Sequence, residues 1–111
     1  MKIPVPGNPV RGSKTGSPIM AMFDLLGRRW AMGILWTLNE RGPLNFRALQ
    51  AACDNISPGM LNTRLKELRA AKLIEMRTEG YRATDIGVEV YEALLPLSEI
   101  SKDWADAMTG S

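Results

Sequence analysis

The sequence predicts a mainly α-helical protein carrying one small β-hairpin, and three observations predict it. Apolar residues recur at steps of three and four along five separate stretches, the periodicity of helices buried on one face. Ser, Asn or Thr stands ahead of most of these stretches and Gly closes the first two, which are the residue types that start and stop helices. A single short segment, residues 74–84, alternates with period two around a glycine, the mark of a hairpin.

At 111 residues the chain is expected to form one domain. Residues 1–16 hold three prolines, three glycines and three basic residues, and read as a flexible, extended N-terminal arm from which Lys2, Arg11 and Lys14 reach a polyanion. Residues 17–111 are the folded domain. Its first helix opens on Ser17 as N-cap and Pro18, carries the stripe Ile19, Met22, Phe23 and Leu26, and stops at Gly27. The second, over residues 28–42, turns Trp30, Ile34, Leu35 and Leu38 inward and closes at Gly42; Gly33 inside it costs about 1 kcal/mol relative to alanine. Pro43 breaks the chain. A short third helix follows with Asn45 as cap and Phe46, Leu49 and Ala52 on its apolar side, then a turn. Ser57 caps the fourth helix with Pro58 at its first position. Leu61, Leu65 and Leu68 face the core, whereas Gly59, Asn62, Thr63, Lys66 and Arg69 point away. A short helix, a tight turn and a capped helix with a small polar outer face make the helix-turn-helix arrangement.

The hairpin, with Gly80 supplying the turn, forms a wing whose exposed charges are Arg77 and Arg82. Thr84 or Asp85 caps the last helix. Its stripe Ile86, Val90, Leu94, Leu97, Ile100, Trp104 and Met108 is widened by Val88, Tyr91 and Leu95, and Pro96 is predicted to kink or divide it. So long an apolar face exceeds what a small domain covers by itself, and a second copy is the simple partner.

Composition excludes several function classes. Histidine is absent and Cys53 is the only cysteine, so within one chain there is no Ser-His-Asp triad, Cys-His pair, disulfide or zinc site built on His or several Cys. No glycine-rich phosphate loop is present. The expectation is a protein that is not an enzyme, with no cofactor and no metal site. No apolar run approaches the roughly 20 residues that cross a bilayer, and the N-terminus lacks a signal-peptide core, so a cytoplasmic protein without a membrane partner is expected. The net charge of +2 hides an asymmetry: residues 1–82 sum to +7 and residues 83–111 to −5. A basic body points to a polyanion such as double-stranded DNA.

The residue types sort accordingly. A helix entering the major groove needs small polar residues near its N-terminus, so that the backbone approaches base edges. Ser57, Pro58, Gly59, Asn62 and Thr63 suit this; Asn62 is built to read adenine and Thr63 to touch a thymine methyl, while Lys66, Arg47, Arg77 and Arg82 suit phosphates. Arg64 lies nearer the buried side. The candidate dimer face is Ile19, Met22, Phe23, Val90, Leu94, Leu97, Ile100, Trp104 and Met108. Met20, Met32 and Trp36 are the candidate pocket for a small apolar effector. Cys53 is expected to be a packing residue.

The stretches "LLGRRWAMGILWTL", "GPLNFRALQ", "ISPGMLNTRLKELRAAKLI" and "YRATDIG", with a last helix ending in "DWA", together resemble the HxlR-type family of winged helix-turn-helix regulators, close to the MarR-like proteins. The resemblance spans roughly residues 17–105. It implies a bacterial, homodimeric DNA-binding transcription regulator, paired through its first and last helices, with the wing flanking the duplex and, in many members, a response to electrophiles or oxidation. The sequence departs from the family pattern in places. Ser17 stands where members often carry a cysteine, Asn45 where an arginine is usual, Gly59 where a larger residue is usual, and Lys72 where a glycine closes the recognition helix; the wing is also short. The expected function is therefore a DNA-binding regulator, a repressor acting as a homodimer on an inverted repeat, with a small-molecule effector as an added option. The competing expectation is a winged-helix protein-interaction module without DNA binding.

Overall fold

The computed structural model of the chain describes residues 2–110; Met1 and Ser111, the outer ends of the two spans assigned above, lie outside the described residues. The elements run α1 (Pro18–Leu26), α2 (Ala31–Arg41), α3 (Phe46–Ala52), α4 (Pro58–Ala70), β1 (Ile74–Arg77), β2 (Gly80–Ala83) and α5 (Asp85–Thr109). The fold is mainly α with one antiparallel hairpin, a winged helix-turn-helix. Ile34, Leu35, Leu49, Leu61, Leu65, Leu68 and Ile74 are the fully buried large side chains. They come from α2, α3, α4 and β1, so the core lies directly behind the helix-turn-helix and holds it as one body.

The strands pair Ile74 with Ala83 and Arg77 with Gly80. The turn is therefore Thr78–Glu79. Gly80, expected to supply it, instead opens β2 at φ 130°, a backbone conformation open to glycine. A Cβ there would lie 2.5 Å from the Leu44 carbonyl. That approach exists because Tyr81 exchanges both backbone hydrogen bonds with Leu44, at 2.8 and 3.0 Å. The segment before α3 thus adds a one-residue third rung to the hairpin and ties the wing to the helix-turn-helix.

Other expectations shift in detail. The second helix begins at Ala31 rather than at residue 28, because Trp30 takes a left-handed backbone (φ 76°) and residues 28–30 form a turn. Ser17 stands at the N-cap of α1 without a side-chain cap bond. The hydroxyl that serves there belongs to Ser13, which accepts from the N–H groups of Gly16 and Ser17 at 3.0 and 3.3 Å. Met76, two residues beyond the buried Ile74 on β1, is 49% exposed. Pro96 does not divide the last helix; α5 is continuous over 25 residues. Residues 2–16 are looped rather than extended: the Gly7 N–H donates to the Gly16 carbonyl at 2.9 Å, and Ile3, Pro4, Val5 and Pro6 line a cleft against α1 and the end of α4.

The base of the wing is closed by three residues of "YRATDIG". Tyr81 is buried in the core. The Thr84 hydroxyl accepts from the Gly87 N–H, capping α5, and donates to the Lys72 carbonyl at 2.7 Å. Gly87 is buried, and a Cβ there would meet the Leu73 carbonyl oxygen at 2.1 Å. Only glycine lets α5 leave the hairpin so close to the end of α4.

Candidate nucleic-acid interface

The α4 helix starts where its chemistry says it should. Ser57 Oγ accepts from the Met60 N–H at 3.2 Å and Pro58, which has no N–H, fills the first position. The Asn45 carboxamide caps α3 in the same manner, accepting from Ala48 at 2.8 Å. Two consecutive left-handed residues, Asp54 and Asn55, make the turn between α3 and α4. The Gln50 side chain locks that turn by donating to the Ile56 carbonyl at 2.9 Å.

With Leu61, Leu65 and Leu68 buried, the opposite face of α4 is bare. Ser57, Pro58, Gly59, Asn62, Thr63 and Lys66 are all exposed. A Cβ at Gly59 would meet nothing within 4 Å, and the Gly59 N–H has no acceptor among the described residues. The helix thus presents an unpaired amide at its positive end, beside two side chains able to contact bases. Lys66 on this face and Arg47 on α3 are exposed and carry no ion pair among the described residues.

Arg64 is committed elsewhere. Its Nε donates to the Arg29 carbonyl at 2.7 Å and its Nη1 to Glu67 Oε1 at 2.8 Å. Arg28, from the turn before α2, takes the other oxygen of Glu67. Glu67 is 6% exposed, and it is the buried carboxylate of the domain among the described residues. With two cations on its two oxygens it fixes the roll of α4 against the α1–α2 turn. Sequence reasoning missed this residue. The available signals were its i, i+3 spacing from Arg64 and its place between Leu65 and Leu68.

The helix ends in a Schellman motif. The Leu73 N–H donates to the Leu68 carbonyl and the Lys72 N–H to Arg69, with Lys72 itself at φ 63°. Lys72 thus takes the left-handed conformation at the place where a glycine is usual.

On the wing, Glu75 receives both arginines: Arg82 Nε at 2.9 Å and Arg77 Nη2 at 3.1 Å. The Arg82 hydrogen bond, with Arg77 adding to it, holds the Glu75 carboxyl below the usual carboxylate range. Cys53, at the end of α3, is buried. Burial pushes its thiol up, against a smaller downward pull from the Thr37 hydroxyl. Among the described residues no group of three or more His, Cys, Asp or Glu is placed to hold a metal ion.

Away from this face, Ile19 and Phe23 of α1 are more than half exposed. They line a groove with Met22, Val90 and Leu94 of α5. Leu97, Ile100, Trp104 and Met108 are bare, at 56, 58, 65 and 70% exposure. On the other flank of α5, Met32, Gly33 and Trp36 line a groove with Leu94 and Leu97. Met32 and Trp36 thus share a site, whereas Met20 lies under Gly12 of the N-terminal segment and outside it.

The profile of the HxlR-like helix-turn-helix family matches residues 25–109, the whole of α2 to α5. The chain belongs to the HxlR family. Solved structures agree with that assignment. The quinone-bound YodB from B. subtilis superposes with a TM-score of 0.64 at 32% identity, covering 81% of this chain and 96% of that one. A possible HxlR family transcriptional factor from Thermoplasma volcanium gives a TM-score of 0.67 at 26% identity, covering 80% and 85%. Among curated proteins, an uncharacterized HTH-type transcriptional regulator of Halalkalibacterium halodurans is 26% identical over 91 residues, 79% of this chain and 80% of the relative. As an HxlR-family member the chain is a DNA-binding transcription regulator rather than an enzyme. No helix among its described residues is long and apolar enough to cross a membrane.

Proposed function

We propose that this HxlR-family chain acts as a homodimer on an inverted-repeat operator, reads bases with the outer face of α4, and represses transcription by occupying that site. The observation that carries the reading is the exposed face Ser57, Gly59, Asn62, Thr63 and Lys66 at a capped helix start with a free Gly59 amide. Asn62 pairs with adenine, Thr63 packs on a thymine methyl, the Gly59 amide takes a phosphate oxygen, and Lys66 and Arg47 grip the backbone on either side. Arg77 and Arg82 approach the flanking phosphates from the wing. The bare faces of α1 and α5 supply the pairing surface, and a twofold pair sets the two recognition helices about one duplex turn apart, roughly 34–36 Å.

The test is titration of labelled duplex, selected from a random pool, in rising salt. The logarithm of affinity is expected to fall linearly with that of salt, and the selected sequences to be inverted repeats. Binding indifferent to salt, or equal on scrambled duplex, overturns the reading in favour of a protein-interaction module.

Small-molecule control is the second part of the reading. The groove of Met32, Gly33, Trp36, Leu94, Leu97, Ser98 and Ser101, about 330 Å³, is apolar and open to a flat ligand. The B. subtilis neighbour is quinone-bound. In this chain such a ligand is held without a covalent bond, since Ser17 offers no thiolate and Cys53 is buried. A quinone that raises the melting temperature of the chain and lowers its affinity for the selected duplex supports this; no shift with any planar apolar ligand removes it.

A further inference from the structure

The wing of this DNA-binding domain carries no net charge: Arg77 and Arg82 are matched by Glu75 and Glu79. The two carboxylates are not equivalent. Glu75 stands opposite Arg82 in the strand register and gives one oxygen to each arginine, Oε2 to Arg82 at 2.9 Å and Oε1 to Arg77 at 3.1 Å. Glu79, at the turn, makes no ion pair among the described residues. Both guanidinium groups remain about half exposed, at 48 and 56%, while Glu75 is 29% exposed beneath them. The Arg82 hydrogen bond, with Arg77 adding to it, favours the ionised form of Glu75.

We infer that Glu75 is a specificity-determining clamp, which withholds Arg77 and Arg82 from sequence-independent phosphate binding. The inference rests on the DNA-binding reading above. An arginine already paired with a carboxylate gains little by exchanging it for a phosphate. Releasing both arginines also leaves a bare carboxylate beside a polyanion. The exchange is favourable only when α4 is seated in its groove and delivers phosphates to both arginines together. On any other sequence the wing stays closed, and the duplex is attracted by cations outside it, Lys66 and Arg47 among them. Glu75 thus lowers affinity for bulk DNA more than affinity for the operator.

The test compares the full-length wild type with Glu75→Gln, Glu79→Gln and Glu75→Gln/Arg82→Gln, each bound to a pool-selected duplex and to a scrambled duplex of equal composition across a salt series. All three positions are exposed or half-exposed, and thermal unfolding checks that the variants are folded. Glu75→Gln is expected to tighten scrambled-duplex binding about 3- to 10-fold and to steepen its salt slope by about 1 per protomer, the signature of an added phosphate contact. The selected-to-scrambled ratio falls with it. Glu79→Gln changes scrambled binding by less than half as much, and removing Arg82 in the Glu75→Gln background reverses the gain. Equal effects of Glu75→Gln and Glu79→Gln overturn the clamp, because bulk charge then explains both, and so does an unchanged salt slope. A wild type that binds no duplex overturns the DNA reading and the clamp together, whereas a wild type that binds with the two single variants alike overturns the clamp alone.

Discussion

Lys72 bears the left-handed backbone of the Schellman motif at φ 63°, and a β-carbon in that region costs on the order of 1 kcal/mol. Lys72→Gly is expected to stabilise the domain by about that amount and to raise its melting temperature by a few degrees in thermal unfolding. Gly87 is the opposite case. Its missing Cβ makes room for the Leu73 carbonyl, so Gly87→Ala is expected to destabilise by about 1–3 kcal/mol on the same measurement. Cys53 adds a pH dependence. Its folded thiol titrates above its unfolded value, so the folded state holds the proton longer. The related stability is fully present below the ordinary thiol range and is lost as pH rises through it toward the folded value. Denaturant unfolding at neutral and alkaline pH should show the loss, and Cys53→Ala should diminish it. A thiol reagent at neutral pH should react with Cys53 only as fast as the domain opens.

Among the elements, α4 carries the sharpest expectations. Asn62→Ala or Thr63→Ala should relax preference at one base position at a cost of about 1–3 kcal/mol. Lys66→Ala should weaken all sequences alike and lower the salt slope by about 1. Parallel selections with the variants, and salt titrations of each, separate the two classes. The α4 helix was legible in the sequence because its signals are local: Ser57-Pro58 at the start, and leucines at steps of four and three. The hairpin was legible only in outline. Alternation located it, but Gly80 read as a turn residue because the Leu44 backbone that demands glycine there is 36 positions away in the chain. Glu67 escaped for the same reason. Its partner on α4, Arg64, is local, but Arg28 comes from a distant turn, and a charged residue in a helix ordinarily reads as solvated. Pro96 read as a breaker, yet it sits in an exposed part of α5 that tolerates it without interruption.

At the scale of the molecule, the basic body and the acidic last segment of the sequence become different surfaces. Unpaired cations such as Arg47 and Lys66 lie on the helix-turn-helix, and the acidic excess lies on α5, whose last eleven residues are all exposed. An isolated helix end of that length is marginal in water without a covering surface. Trp104→Glu is therefore expected to convert a dimer to a monomer in analytical ultracentrifugation and to weaken operator binding well beyond a surface change, because two linked half-sites become one. The same substitution should leave each monomer folded, since the core lies behind the helix-turn-helix and not along α5.

The close seating of Gly87 has a consequence for the operator itself. The joint where α5 leaves the wing is pinned by the Leu73 backbone on one side and by the Asn39 carboxamide, 3.4 Å from the Gly87 carbonyl, on the other. It leaves no hinge between α5, the proposed pairing helix, and α4, the proposed reading helix. The distance between half-sites is then a fixed gauge rather than an adjustable one. One base pair inserted at the operator centre swings a half-site by about 35° around the duplex axis. A protein with a loose joint would follow that rotation; this one should lose a half-site instead.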